Sequence, residues 1–152
     1  MPLWSVHHPP KAYSAQDKRD FATAVTGYYT RVGLPKFYVV VNFQEVDAES
    51  LFVGGEPATD TVRIVIEHIA RHSKDPESRK RIGESIQKVI APFTVDRGLH
   101  TEFHVDETPQ DLWMIDGLWP PPGGSDAEKL WVEQNRPIPY QLDQEPNPVS
   151  GH

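Results

Sequence analysis

Gly33-Leu34-Pro35-Lys36-Phe37-Tyr38-Val39-Val40-Val41-Asn42-Phe43-Gln44-Glu45 is a glycine turn running into a dense block of β-formers that ends on a carboxylate. The same order returns at Gly98-Leu99, with Phe103 inside the following block and Glu107 at its end. Both blocks are followed by a leucine-aromatic pair, Leu51-Phe52 and Leu112-Trp113, and then by a glycine. Self-similarity of this kind marks one supersecondary unit used twice. The block over residues 36–46 is too apolar for a solvent-facing edge, which predicts a central strand.

Working outward, each block is preceded by a helix and a strand. Ser14 with Asp17 resembles a capping box, and Phe21, Ala24, Val25 and Tyr28 recur at helical spacing, so residues 14–31 read as an amphipathic helix closed by Gly33. In the second half Asp75 caps a helix with Pro76 in its first turn and Ile82, Ile86, Val89 and Ile90 as its buried stripe. The strands that open the halves are Leu3-Trp4-Ser5-Val6 and Val62-Arg63-Ile64-Val65-Ile66.

Two β-α-β units, residues 2–55 and 61–117, give an α/β (α+β) fold: a four-stranded sheet with two helices on one face and right-handed crossovers. The other face of the sheet is expected to be apolar and to be covered by association. The unit closes near residue 124. A Pro-rich stretch, Trp119-Pro120-Pro121-Pro122-Gly123-Gly124, leads to a helix capped by Ser125 with Glu128. Residues 125–140 are expected to pack on the core, and 141–152 to form a disordered tail.

Composition bounds the chemistry. The chain has 152 residues, 38% hydrophobic and 24% charged, and no cysteine, so no thiolate nucleophile or disulfide enters the account. A formal charge of −7 disfavours a nucleic-acid surface. No apolar run is long enough for a membrane span, and the cytoplasm is the default location. His7 and His8 are adjacent, and His68 and His72 straddle a strand end, so neither pair predicts a metal site. Trp113, Trp119 and Trp131 read as packing residues, and Asp106, Glu107 and Asp111 as solvated carboxylates.

The chemically distinctive group is at the start, in Met1-Pro2-Leu3-Trp4-Ser5-Val6. With the initiator methionine removed, Pro2 carries a free secondary amine on a rigid strand. An α-amine titrates at about 7.7–8.0, and burial or a neighbouring cation lowers it toward neutrality. A base so poised suits proton abstraction beside a carbonyl.

Together, the amino-terminal proline, the duplicated unit, Val41-Asn42-Phe43-Gln44-Glu45, Phe52-Val53-Gly54-Gly55 and Gly117-Leu118-Trp119-Pro120 resemble the tautomerase superfamily. More narrowly, they resemble its cis-3-chloroacrylic acid dehalogenase-like branch and the oxalocrotonate tautomerases. The resemblance covers residues 2–124. It implies a homotrimer, no cofactor, a small carboxylic-acid substrate and a pocket around the proline. The implied activities are keto-enol tautomerisation, hydration with dehalogenation, or decarboxylation of a semialdehyde acid.

Carried over residue by residue, it makes Pro2 the catalytic base. Arg71 is the substrate-carboxylate clamp, with Arg63 a possible second and His68 a hydrogen-bonding neighbour. The branch's helix histidine is replaced by Tyr28 or Tyr29, and its last-strand tyrosine by His104. The position of its water-activating glutamate is held by Ile115, with Asp116 one place on, which disfavours water addition. The expected activity is therefore proline-dependent tautomerisation of a small 2-oxo or enol acid. A decarboxylase or hydratase of three-carbon acids is the alternative, and a trimeric binding protein with the same fold is the alternative from another class.

Overall fold

A computed structural model describes residues 1–141; the expected tail from residue 142 on lies outside the described residues. Strand β1 (Pro2–His8), helix α1 (Ala15–Thr30) and strand β2 (Val40–Glu45) form the first unit. A short hairpin, β3 (Phe52–Val53) with β4 (Glu56–Pro57), precedes the second unit, which comprises β5 (Thr61–Ile69), α2 (Pro76–Ile90) and β6 (His100–Thr108). Helix α3 (Asp126–Gln134) follows. The sheet order is β2-β1-β5-β6, with β1–β2 and β5–β6 parallel and β1–β5 antiparallel. Each parallel pair is thus one β-α-β crossover, and the two units join through their first strands.

Local chemistry places the helices. Ser14 and Asp17 exchange side-chain bonds with each other's backbone N–H in a full capping box. The Asp75 carboxylate accepts from the Ser78 N–H, with Pro76 in the first turn. Trp4, Val6, Ile64 and Ile66 on the covered side of the sheet meet Phe21, Val25, Ile86 and Ile90 from the helices, and all of these are fully buried.

Two expectations are corrected. The stretch at residues 36–46 is not a central strand. Lys36–Tyr38 form a 3-10 turn and only Val40–Glu45 pair, as an edge strand. Phe37 and Tyr38 have another use, because their rings pack on Trp131 and, for Tyr38, on Trp113. Nor is the uncovered face of the sheet apolar. Leu3, Val40 and Val65 share it with His7, Asn42, Gln44, Arg63, Glu67, Glu102 and His104, as the strand register requires. Polar groups knit it together: His7 with Gln44 at 2.8 Å, and Arg63 with His104 at 2.7 Å.

Asp106 and Glu107 also lie within β6 and not beyond it. Glu107 is engaged by His72 at 2.8 Å and by the Ser73 N–H. No helix among the described residues is long and apolar enough to cross a membrane.

Candidate active site

A cavity of about 530 Å³ opens where the start of β1 meets the end of β5. Its wall is built from Met1 and Pro2, Tyr28 and Tyr29 of α1, His68 and Ile69 of β5, and the turn Arg71-His72-Ser73-Lys74. A pocket of about 60 Å³ lies on the other side of Met1, between Tyr38, Trp113, Arg71 and Glu128. Met1 and Arg71 border both spaces.

The chain terminus is pinned. The Met1 amine donates to the Ile69 carbonyl at 2.9 Å, and the Ile69 N–H donates to the Met1 carbonyl at 3.0 Å, which extends the β1–β5 ladder by one step. Burial, reinforced by the Arg71 guanidinium and opposed by the Glu128 carboxylate, lowers this amine from 8.0 to about 5. Pro2 is buried one residue further in, paired across the ladder with His68.

His68 is held by a chain of hydrogen bonds. Trp4 Nε1 donates to the Tyr29 hydroxyl at 3.0 Å, and that hydroxyl lies 2.7 Å from His68 Nε2. An indole N–H can only donate, so the tyrosine oxygen accepts from Trp4, and the hydroxyl links that indole to His68 Nε2. Burial first, then the terminal amine, lowers His68 from 6.5 to about 4, which keeps the ring neutral near pH 7. A neutral imidazole on a cavity wall can act as a hydrogen-bond donor to an enolate oxygen.

The choice between the two tyrosines left open by the sequence is answered by division of labour. Tyr29 is the residue bonded to His68, while Tyr28 lines the cavity beside it, their rings 4.9 Å apart. Burial raises both phenols, so both remain neutral donors.

Arg71 follows Ala70, whose φ of 74° turns the chain sharply after β5. Its side chain is 46% exposed and makes a 2.9 Å ion pair with Glu128 of α3. The turn thereby directs a guanidinium across the space beside the terminus, and a planar fork of this kind matches a carboxylate.

The remaining sequence candidates lie elsewhere in this chain. Arg63 and His104 sit on the uncovered face of the sheet, opposite to Pro2 and His68. Because Arg63 can only donate, His104 Nδ1 accepts from it and Nε2 donates to Asp106. Asp116, with a φ of 50°, occupies the exposed turn between Ile115 and Leu118 and lines neither space at the terminus.

Glu128 was not singled out from the sequence as a site residue, since its Ser125-x-x-Glu128 spacing reads as an ordinary helix cap. Ser125 does accept from the Glu128 N–H, but the carboxylate turns to the Gly124 N–H and to Arg71.

Residues 1–136 match a family model described as "Putative oxalocrotonate tautomerase enzyme". The chain belongs to that tautomerase family. No curated protein matches it. Among solved structures, this tautomerase-family chain is similar to native RhCC from Rhodococcus jostii RHA1, with 44% identity and a TM-score of 0.88 over 91% of this chain and 99% of that one. It is similar also to AU4130/APC7354, described as "a probable enzyme from the thermophilic fungus Aspergillus fumigatus", at 38% identity and a TM-score of 0.87 over 92% and 98%. N1, a member of the cis-3-chloroacrylic acid dehalogenase family, shares the fold at 19% identity, with a TM-score of 0.68 over 88% and 97%.

Proposed function

We propose that this protein is a cofactor-independent tautomerase in which Pro2, exposed by removal of Met1, shuttles a proton between carbon and oxygen of a 2-oxo or enol carboxylic acid. The observation that carries the reading is the buried chain terminus, lodged between a guanidinium and a neutral imidazole on the wall of a cavity. Loss of Met1, which borders both spaces, would enlarge the pocket and leave the prolyl nitrogen at its wall.

In the proposed steps, Arg71 holds the substrate carboxylate. The unprotonated prolyl nitrogen takes the C3 hydrogen as a proton, and the C–H electron pair moves into a C2–C3 double bond while the carbonyl π electrons become an enolate on oxygen. The His68 imidazole, or the Tyr28 hydroxyl at the cavity wall, steadies that oxygen. The prolinium then returns the proton to oxygen, so substrate and product are isomers, and the reverse sequence converts enol to ketone.

Family membership supports an enzyme of this class. The position of Asp116 on an exposed turn disfavours water addition, since a hydratase needs a carboxylate at the attacking water. Within one chain, Arg63 and His104 have no part in the pocket. A homotrimer is part of the proposal, and structural neighbours described as fused 4-OT asymmetric trimers support it. The cytoplasm is the proposed location.

Intact mass of the purified protein should show loss of Met1, and ultraviolet assay should show ketonisation of phenylenolpyruvate. Pro2→Ala should reduce kcat/KM by at least about 100-fold, the usual contribution of a positioned base. Arg71→Ala should mainly raise KM. Retained Met1 or an undiminished Pro2→Ala rate would sink the reading. Product from malonate semialdehyde or a haloacrylate, with silence on enol acids, would transfer it to the decarboxylase or hydratase class. Carboxylate binding without any turnover would leave a binding protein.

A further inference from the structure

Glu128 lies on α3, outside the two β-α-β units, yet its carboxylate is 8% exposed and reaches the guanidinium beside the chain terminus. A buried carboxylate is tolerated only with compensation. Oε1 accepts from Arg71 Nη2 at 2.9 Å and from the Gly124 N–H at 3.0 Å, and it sits at the positive end of α3. On the same guanidinium, Gly123 presents bare backbone: a Cβ built there would stand 3.2 Å from Arg71 Nη2. Gly123 does not have a positive φ, so what a side chain would disturb there is the close approach of the arginine and not the backbone.

We propose that Glu128 is the positioning residue of Arg71, and that Gly123 and Glu128 together form a seat which orients the carboxylate clamp toward the substrate pocket. This rests on the role given to Arg71 above. Glu128 takes one of the two Nη2 hydrogens, which leaves the other, paired with Nε or with Nη1, as a fork for a ligand carboxylate. An unseated arginine must lose its rotamer freedom each time substrate binds, whereas a seated one has lost it on folding. Glu128 does not touch the reacting atoms; it acts through Arg71.

The test uses the full chain with phenylpyruvate as probe, measured by calorimetry as well as by turnover. Glu128→Gln keeps an acceptor oxygen but removes the charge, and Gly123→Ala keeps the ion pair but crowds it. Both should fold, as judged by circular dichroism. Glu128→Gln should weaken phenylpyruvate binding and raise KM by about tenfold, the scale of one long side chain's ordering, with kcat changed less than twofold. Gly123→Ala should act in the same direction by several-fold. Neither should alter the KM of an enol lacking the carboxylate, a readout that general structural damage would move. In the Arg71→Ala background Glu128→Gln should add nothing.

A second readout is the titration of the terminal amine, followed by ¹⁵N resonance. The amine in the structure, that of Met1, lies in the field of Arg71 and Glu128, with neutral His68 near it, Glu107 beyond His68 and neutral Tyr38 behind Glu128, and the prolyl nitrogen follows it by one residue. Removing the anion should move the titration to lower pH, and Arg71→Ala should move it to higher pH. If Pro2 is essential and Arg71→Ala raises KM, but Glu128→Gln and Gly123→Ala leave binding and KM unchanged, the seat is refuted and the tautomerase reading stands. If Pro2→Ala is fully active while Glu128→Gln weakens phenylpyruvate binding through Arg71, the reverse holds. Wild-type protein that does not bind phenylpyruvate overturns both.

Discussion

At the scale of single residues, the informative group is His68, because its protonation state follows from its neighbours. Burial beside the terminal amine penalises its charged form. The folded protein therefore resists charging a group that charges freely once unfolded. Its folded value, about 4, lies below the ordinary 6.5, so between these limits the unfolded state binds more protons. By linkage the stabilisation is complete above about pH 6.5 and is lost as pH falls through about 4, a difference of roughly 3 kcal/mol. Urea unfolding from pH 7 to pH 4 should show this loss. His68→Gln should lose less over the same range, by about that amount, since other carboxylates titrate alike in both proteins. Equal pH dependence in the two would mean that His68 is not held neutral. The strand position of His68 was legible in the sequence, but its link to Trp4 through Tyr29 was not, because the three residues come from three elements.

At the scale of elements, helices were legible because their signals are local: Ser14 with Asp17, Asp75 with Pro76, and Ser125 each mark a helix start within a few residues. The turn at Lys36–Tyr38 was not, because the β propensity of Phe37 and Tyr38 is outweighed by partners far along the chain. Glu128 was missed for a related reason: its position is explained by capping, and only the packing of α3 reveals a second task. That packing turns on Trp131, which is fully buried against Phe37, Tyr38 and Tyr140 and donates to the Ile138 carbonyl at 2.8 Å. Trp131→Ala should lower unfolding free energy by about 3–5 kcal/mol, the range for deleting a buried indole. Limited proteolysis should then cut first between Gly124 and α3. A variant as stable and as protease-resistant as the parent would show that α3 is held by something other than this indole.

At the scale of the whole molecule, the sheet has one face closed by α1 and α2 and one face left to other surroundings. Alternation along the strands is what makes these faces differ: Trp4, Val6, Ile64 and Ile66 point one way, and Ser5, His7, Arg63 and Val65 the other. The sequence suggested an apolar second face because β2 and β5 look apolar when read as runs. Register sorts their polar residues onto the same side, so any association through this face is built from paired polar groups around Leu3, Val40 and Val65 and not from a greasy patch. Charge is then the lever. Within the chain Arg63 bonds His104 at 2.7 Å and approaches Glu102, so in the proposed trimer Arg63→Glu would set a third carboxylate beside Glu102 and Asp106. Sedimentation equilibrium of the parent should give three times the 17.2 kDa chain. Arg63→Glu should shift the mass toward one chain with an unchanged far-ultraviolet circular dichroism spectrum, whereas Leu112→Asp, at a side chain 75% exposed away from this face, should leave the mass as it was. A parent that sediments as a single chain would end the trimer proposal, and a trimer indifferent to Arg63→Glu would place its contacts on some other surface.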